Sequence, residues 1–172
     1  IQKGHQVAMM APTEILAQQH YDSFTSLFDI SVVCLTSSTK DKRHMINNIN
    51  NNQTSFIIGT HAWVSEDVTF SNLGLVIIDE QHKFGVNIRK QLLNKSKTKD
   101  LLYLTATPIP RSMIHVYYEH ADVSIIQSMP SNRQIVTTKN VHSKDVLDIF
   151  KQLKRAASHG QHAFVIVPSI QS

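Results

Sequence analysis

The sequence predicts an α/β protein built on a doubly wound parallel sheet, and three observations predict it. Short apolar, β-branched runs such as Leu75-Val76-Ile77-Ile78 alternate with segments whose apolar residues recur at helical spacing. Two of the runs end in polar words: Asp79-Glu80-Gln81-His82 follows the run just named, and Thr105-Ala106-Thr107-Pro108 follows Leu101-Leu102-Tyr103-Leu104. A strand buried on both faces reads as a continuous apolar run, and one that closes on adjacent carboxylates delivers them to the carboxyl edge of a sheet, where α/β proteins bind ligands. Apolar residues make up 41% of the chain, enough for a core of that kind.

The elements follow in order. Residues 7–10 read as a strand that Pro12 breaks, and Thr13 suits the cap of a helix running to about Phe28. Ala17, Tyr21, Phe24 and Phe28 give that helix one apolar face. A second strand spans 30–35, and a polar, weakly amphipathic helix spans 40–50. The asparagine tract from Asn47 to Asn52 ends this helix, because Asn competes with helical backbone, and it reads as a solvated loop without function. Residues 55–58 form a third strand closed by Gly59, and 73–78 and 101–104 form the fourth and fifth. Trp63 is expected to be packed rather than stacked on a base. A short helix over 110–118 starts on proline, where a missing N–H costs nothing, and 123–126 read as one more strand. The composition then shifts at Gln127-Ser128-Met129-Pro130-Ser131-Asn132-Arg133, a linker by its Ser, Pro and Asn content. A second βαβ unit follows: a strand over 135–139, a helix from about Lys144 with the stripe Val146, Ile149, Phe150 and Leu153, a stop at Gly160, and a strand over 163–167.

Composition narrows the function classes. The formal net charge of +4 fits a polyanionic partner without demanding one. Cys34 is the only cysteine, so no disulfide or thiolate metal site forms within the chain, and a buried strand residue in a reducing compartment is the natural reading. The histidines do not show zinc spacing. No apolar run approaches membrane-spanning length and no signal peptide is visible, which makes the cytoplasm the expected compartment.

Asp79 and Glu80 carry the chemistry. Mg²⁺ takes hard oxygen ligands and keeps most of its waters, so one carboxylate can hold it against nucleotide phosphates while the next positions an attacking water. Two exposed acids at a strand end are the plainer reading of the same pair. Such a site also needs a Gly-rich phosphate loop ending in Gly-Lys-Ser/Thr, and the five glycines here are isolated with no Gly-Lys pair. The chain therefore reads as an excerpt that begins after that loop, and alone it is expected not to hydrolyse ATP.

Five blocks, in order, resemble the superfamily 2 helicases and among them the RecG-like DNA helicases. They are Met10-Ala11-Pro12-Thr13-Glu14-Ile15-Leu16-Ala17-Gln18-Gln19-His20, Gly59-Thr60-His61-Ala62, Val76-Ile77-Ile78-Asp79-Glu80-Gln81-His82-Lys83-Phe84-Gly85-Val86, Leu104-Thr105-Ala106-Thr107-Pro108-Ile109-Pro110-Arg111 and, more loosely, Gly160-Gln161-His162-Ala163-Phe164-Val165-Ile166-Val167-Pro168. The transcription-repair coupling helicases share the Pro-Ile-Pro-Arg word but have Asp-Glu-Glu-Gln where this chain has Asp-Glu-Gln-His. Lys83 stands where the RecG-like pattern has Arg, and Pro130-Ser131-Asn132-Arg133 where it has Pro-Pro-Gly-Arg.

The resemblance implies a RecA-like first motor domain over 1–127 without its phosphate-loop strand, a linker over 128–134 and the beginning of a second RecA-like domain over 135–172. It implies ATP and Mg²⁺ as cofactors, Asp79 holding Mg²⁺ through its waters, and Glu80 orienting and deprotonating the attacking water. Gln81 and His82 would sit between the γ-phosphate and the second domain, although a solvated surface histidine is the plainer reading of His82. Thr105, Ala106 and Thr107 would bridge the acids to the DNA-side contacts. Pro12, Thr13, Gly59, Thr60 and His61 would meet DNA phosphates through hydroxyls and main-chain N–H groups, and the same residues equally suit strand-to-helix capping. The implied partner is branched or forked double-stranded DNA, with no membrane and no obligate protein partner. The branched-DNA preference comes from the resemblance alone. A non-catalytic DNA-binding or interaction module that keeps the fold is the alternative.

Overall fold

The computed structural model describes residues 1, 4–80, 83–84, 88, 91, 94–95, 100–107, 121–128 and 136–166. The chain separates into two compact units, Ile1–His120 and Ala121–Ser172.

In the first unit the apolar runs become strands β1 (Gln6–Met10), β2 (Val32–Leu35), β3 (Phe56–Gly59), β4 (Leu73–Asp79) and β5 (Leu101–Leu104). They form one sheet in the order β2-β3-β1-β4-β5 with every described pairing parallel. Parallel neighbours need crossovers, and among the described residues α1 (Glu14–Leu27) connects β1 to β2 and α2 (Lys42–Asn50) connects β2 to β3.

The period of two along each strand sorts the core onto both faces. Ala8, Met10, Ile57, Val76 and Ile78 point one way, joined by Leu35, Ile49 of α2 and the 3₁₀ turn His61–Val64. Met9, Phe56 and Ile58 point the other way, under Ala17, Tyr21 and Phe24 of α1. Phe24 meets Phe56 edge-on at 4.6 Å and stacks on Phe28 at 5.7 Å, so the predicted apolar face of α1 is the one that packs. Trp63 is fully buried and meets Phe70 edge-on at 5.8 Å, a packing role as expected.

Two loops depend on polar side chains that periodicity cannot reveal. Gln6 is buried, and its amide donates to the carbonyls of Ile49 and Thr54 while its oxygen accepts from Asn72 N–H, tying the end of α2 to the start of β4. The asparagine tract does end α2, with Asn52 in the left-handed region at φ 58°. It is not an idle loop, however. Asn50 accepts from Thr69 N–H at 2.8 Å, donates to Asp67 O at 3.2 Å and takes Ser71 Oγ on its carbonyl at 2.6 Å, so it fastens the segment leading into β4.

In the second unit α3 (Val146–Ser158) forms as expected and stops at Gly160, whose φ of 74° is the left-handed turn that glycine supplies at a helix end. Its stripe is only partly covered, with Phe150 52% exposed. The strands expected over 123–126, 135–139 and 163–167 are not formed among the described residues. Ile126, Phe164 and Ile166 are each more than 90% exposed. An apolar run becomes a strand only where a neighbour takes up its N–H and C=O groups, and composition cannot reveal whether that neighbour is present. The helix expected over 110–118 and most of the linker lie outside the described residues.

Candidate functional site

Because the strands are parallel, their carboxyl ends share one edge of the sheet, and the predicted site residues of the first unit follow those ends. Pro12 and Thr13 follow β1, Thr60 and His61 follow β3, Asp79 and Glu80 end β4, and Thr105 to Thr107 follow β5. The strand order divides them into a half on β3 and β1 and a half on β4 and β5, meeting at the β1–β4 ladder.

The acidic half is tightly built. Asp79 pairs with Leu104 in the ladder, and Glu80 N–H then donates to Leu104 O at 2.9 Å. Glu80 has φ 48°, a left-handed conformation that costs a residue with a Cβ about 1 kcal/mol or more and persists where its surroundings over-determine it. They do so here. One carboxylate oxygen of Glu80 accepts from Thr105 Oγ1 at 3.1 Å and the other from Ala106 N–H at 3.1 Å. Thr107 closes the turn, its N–H donating to Thr105 Oγ1 at 3.2 Å and its hydroxyl meeting that oxygen at 2.9 Å. Glu80, Thr105, Ala106 and Thr107 are thus one hydrogen-bonded group. Asp79 has a separate partner, His20 Nε2 of α1 at 3.0 Å from Oδ2.

The other half is built from helix starts. Thr13 caps α1 through its hydroxyl, which accepts from Leu16 N–H at 3.2 Å. Gly59 lies against Leu35, where a Cβ would stand 1.9 Å from the Leu35 carbonyl oxygen, so only glycine fits. Thr60 precedes the 3₁₀ turn; it is 5% exposed and its hydroxyl lies inside the protein. His61 is exposed. Of the Gly59-Thr60-His61 word, then, His61 is the side chain at the surface. Gln81 and His82 lie outside the described residues.

Comparison with known proteins fixes the family. A family model described as DEAD/DEAH box helicase matches residues 1–116, more than half of the chain. The chain belongs to the DEAD/DEAH box helicase family. It is 44% identical over 99% of its length to the ATP-dependent DNA helicase RecG of Bacillus subtilis, and 44% identical over 98% to that of Thermotoga maritima. It also matches a solved structure of RecG bound to a three-way DNA junction, with 42% identity over 98% of this chain, 23% of that one, and a TM-score of 0.74. The chain spans 26% and 22% of the two RecG proteins, about a quarter of their length.

The donor set of this helicase-family chain fits Mg²⁺ held beside phosphate. Among the described residues no three His, Cys, Asp or Glu side chains converge as a metal cage. Mg²⁺ needs none, because it is ordinarily bound by one or two carboxylates together with waters and substrate phosphates. Among the described residues no helix is long and apolar enough to cross a membrane.

Sequence reasoning missed two residues. His20 ends the Met10–His20 stretch; seven positions after Thr13, close to two helical turns, it was readable as lying on Thr13's side of α1. Glu14 accepts from Ser37 N–H at 3.0 Å, Ser38 N–H at 3.3 Å and Ser38 Oγ at 2.7 Å, pinning the loop after β2 to the start of α1. No sequence signal announces that contact.

Proposed function

We propose that the chain is the motor portion of an ATP-dependent DNA helicase of the RecG type, which uses ATP and Mg²⁺ to translocate on double-stranded DNA and remodel branched structures. The observation that carries this reading is the Glu80 carboxylate clamped by Thr105 and Ala106 beside Asp79, at the carboxyl edge of a parallel sheet. Asp79 would hold Mg²⁺, which would neutralise charge on the nucleotide phosphates, and Glu80 would orient the attacking water and take its proton. Thr105, Ala106 and Thr107 are the groups through which a change at Glu80 reaches the rest of the edge. Thr13, with Pro12 before it, and the Gly59-Thr60-His61 turn lie where DNA phosphates are met, through the main-chain N–H groups of the first turn of α1 on one side and the exposed His61 side chain on the other. Similarity to RecG over nearly the whole chain, including a structure with a DNA junction, supports branched DNA as the substrate.

The test uses the full-length protein. Glu80→Gln keeps an amide oxygen for Ala106 N–H and a group that can pair with the Thr105 hydroxyl, so nucleotide binding should stay within about twofold while hydrolysis slows by roughly 10²–10⁴-fold, the scale for losing a positioned base. Asp79→Asn should instead weaken Mg²⁺-dependent nucleotide binding. If both variants hydrolyse ATP like the wild type, the assignment is wrong.

A further inference from the structure

Helix α1 touches both halves of the sheet edge: its cap is Thr13, and His20 reaches the carboxylate that ends β4. Over seven residues the helix rises about 10 Å, so one rigid body spans the distance between them. The contact is partly shielded, with 29% of the His20 side chain and 16% of the Asp79 side chain exposed. An ionised carboxylate can only accept, so the bond requires the proton on Nε2 of His20.

We propose that His20 is a positioning residue for Asp79, its Nε2–H donated to Oδ2 fixing the carboxylate in the orientation that holds Mg²⁺. The proposal rests on the reading of Asp79 given above. The physical reason is general: a carboxylate that serves a metal loses affinity when its rotamer is unrestrained, and a hydrogen-bonding neighbour removes that freedom. Val76, Ile77 and Ile78 hold the strand beneath Asp79, but a strand fixes only the Cα; the side chain's own torsions need a partner outside it. The nearer end of the acidic pair is therefore set by α1, and Glu80 by the turn after β5.

The experiment uses the full-length protein and a fluorescent, non-hydrolysable ATP analogue titrated with Mg²⁺, so that its readout is binding and not turnover. His20→Ala should raise the Mg²⁺ concentration for half-maximal binding about tenfold, at the lower end of what losing such a neighbour costs. His20→Gln, whose amide N–H can occupy the place of Nε2–H, should recover most of that loss, to within about threefold of the wild type. A role in folding alone would not be rescued in this way, and thermal melting of each variant checks it. Mg²⁺ requirement within about twofold of wild type in a folded His20→Ala protein, or no recovery in a folded His20→Gln protein, overturns the inference. Asp79→Asn run beside them separates the two readings. Weakened Mg²⁺-dependent binding in Asp79→Asn with none in His20→Ala refutes the positioning role alone. Unchanged binding in Asp79→Asn refutes the reading of Asp79, and this proposal with it.

Discussion

Replacing Gly59 by alanine should unfasten the carboxyl edge of the sheet. The added Cβ would stand 1.9 Å from the Leu35 carbonyl oxygen, 2.9 Å from its carbon and 3.2 Å from Cδ1 of Trp63. A carbon rests against a carbonyl oxygen at about 3.3 Å or more, so relief needs more than about 1 Å of movement. The atom in the way is backbone, and β3 is held on both sides. Gly59 pairs with Leu35 of β2 and Met10 of β1, and Ala11 N–H donates to Gly59 O at 2.8 Å. No flexible side chain can yield in their place. Overpacking a core by one methyl group costs 1–3 kcal/mol, and a neighbouring ladder bond lost in the adjustment about 1 more, so about 3 kcal/mol is expected. In a domain of this size that is roughly a 10 °C fall in Tm. Urea and thermal unfolding of the full-length variant measure it, and hydrogen exchange at the ends of β2 and β3 locates it. A Gly59→Ala protein within about 0.5 kcal/mol of wild type, the range of an ordinary surface substitution, would refute the reasoning.

Two further outcomes follow from the ionisable groups. The Ser38 hydroxyl, with the main-chain N–H groups of Ser38 and Ser37, holds the Glu14 carboxyl below its ordinary value of 4.5. A lowered folded value means that this contribution is complete above the unfolded value and is lost as pH falls through the folded one. Glu14→Gln should therefore destabilise the protein at neutral pH, and the difference from wild type should close below about pH 4; an equal difference at pH 7 and pH 3 would rule this out. Burial pushes the Cys34 thiol up, helped by the charges of Asp22 and Glu14. Alkylation by iodoacetamide at pH 8 should be at least about tenfold slower in the folded protein than in urea, and equal rates would contradict the placement of Cys34.

What the sequence made legible was whatever depends on local periodicity or on a strand ending. The five strands of the first unit were readable because each is apolar and bounded by a turn residue, and Thr13 was readable as a cap because its hydroxyl precedes a helical stripe. The acids and the Thr105-Ala106-Thr107 turn were readable as neighbours-to-be through their common position after parallel strands and through the helicase resemblance. The order β2-β3-β1-β4-β5 was not readable, since pairing is decided by contacts far apart in sequence. The uses of Gln6, Asn50, Glu14 and His20 were hidden for the same reason: each is a polar side chain whose partner lies more than a dozen residues away. In the second unit the apolar runs misled, because a strand pattern states only what a neighbour would bury.

One backbone angle explains how two adjacent acids come to have different partners. Along β4, Ile77 faces α1 while Val76 and Ile78 face the opposite core, so by alternation Asp79 belongs to the α1 side, where His20 meets it. Continued extension would turn Glu80 to the opposite face. At φ 48° the chain instead leaves the strand, and the Glu80 carboxylate reaches the turn beyond β5, where Thr105 and Ala106 bind it. Under the roles proposed for them, separate anchors let the carboxylate that would hold the metal and the one that would activate the water each be set without moving the other. Anchoring Asp79 to a helix and Glu80 to a loop separates them within a single peptide bond. Thr105→Val should accordingly loosen Glu80 and slow hydrolysis by roughly tenfold, on the scale of one charge-assisted hydrogen bond at an exposed site, while leaving Mg²⁺-dependent nucleotide binding unchanged. Single-turnover hydrolysis and the Mg²⁺ titration, run on the same full-length variant, distinguish the two effects. If both quantities shifted together, the acids would not be independently held.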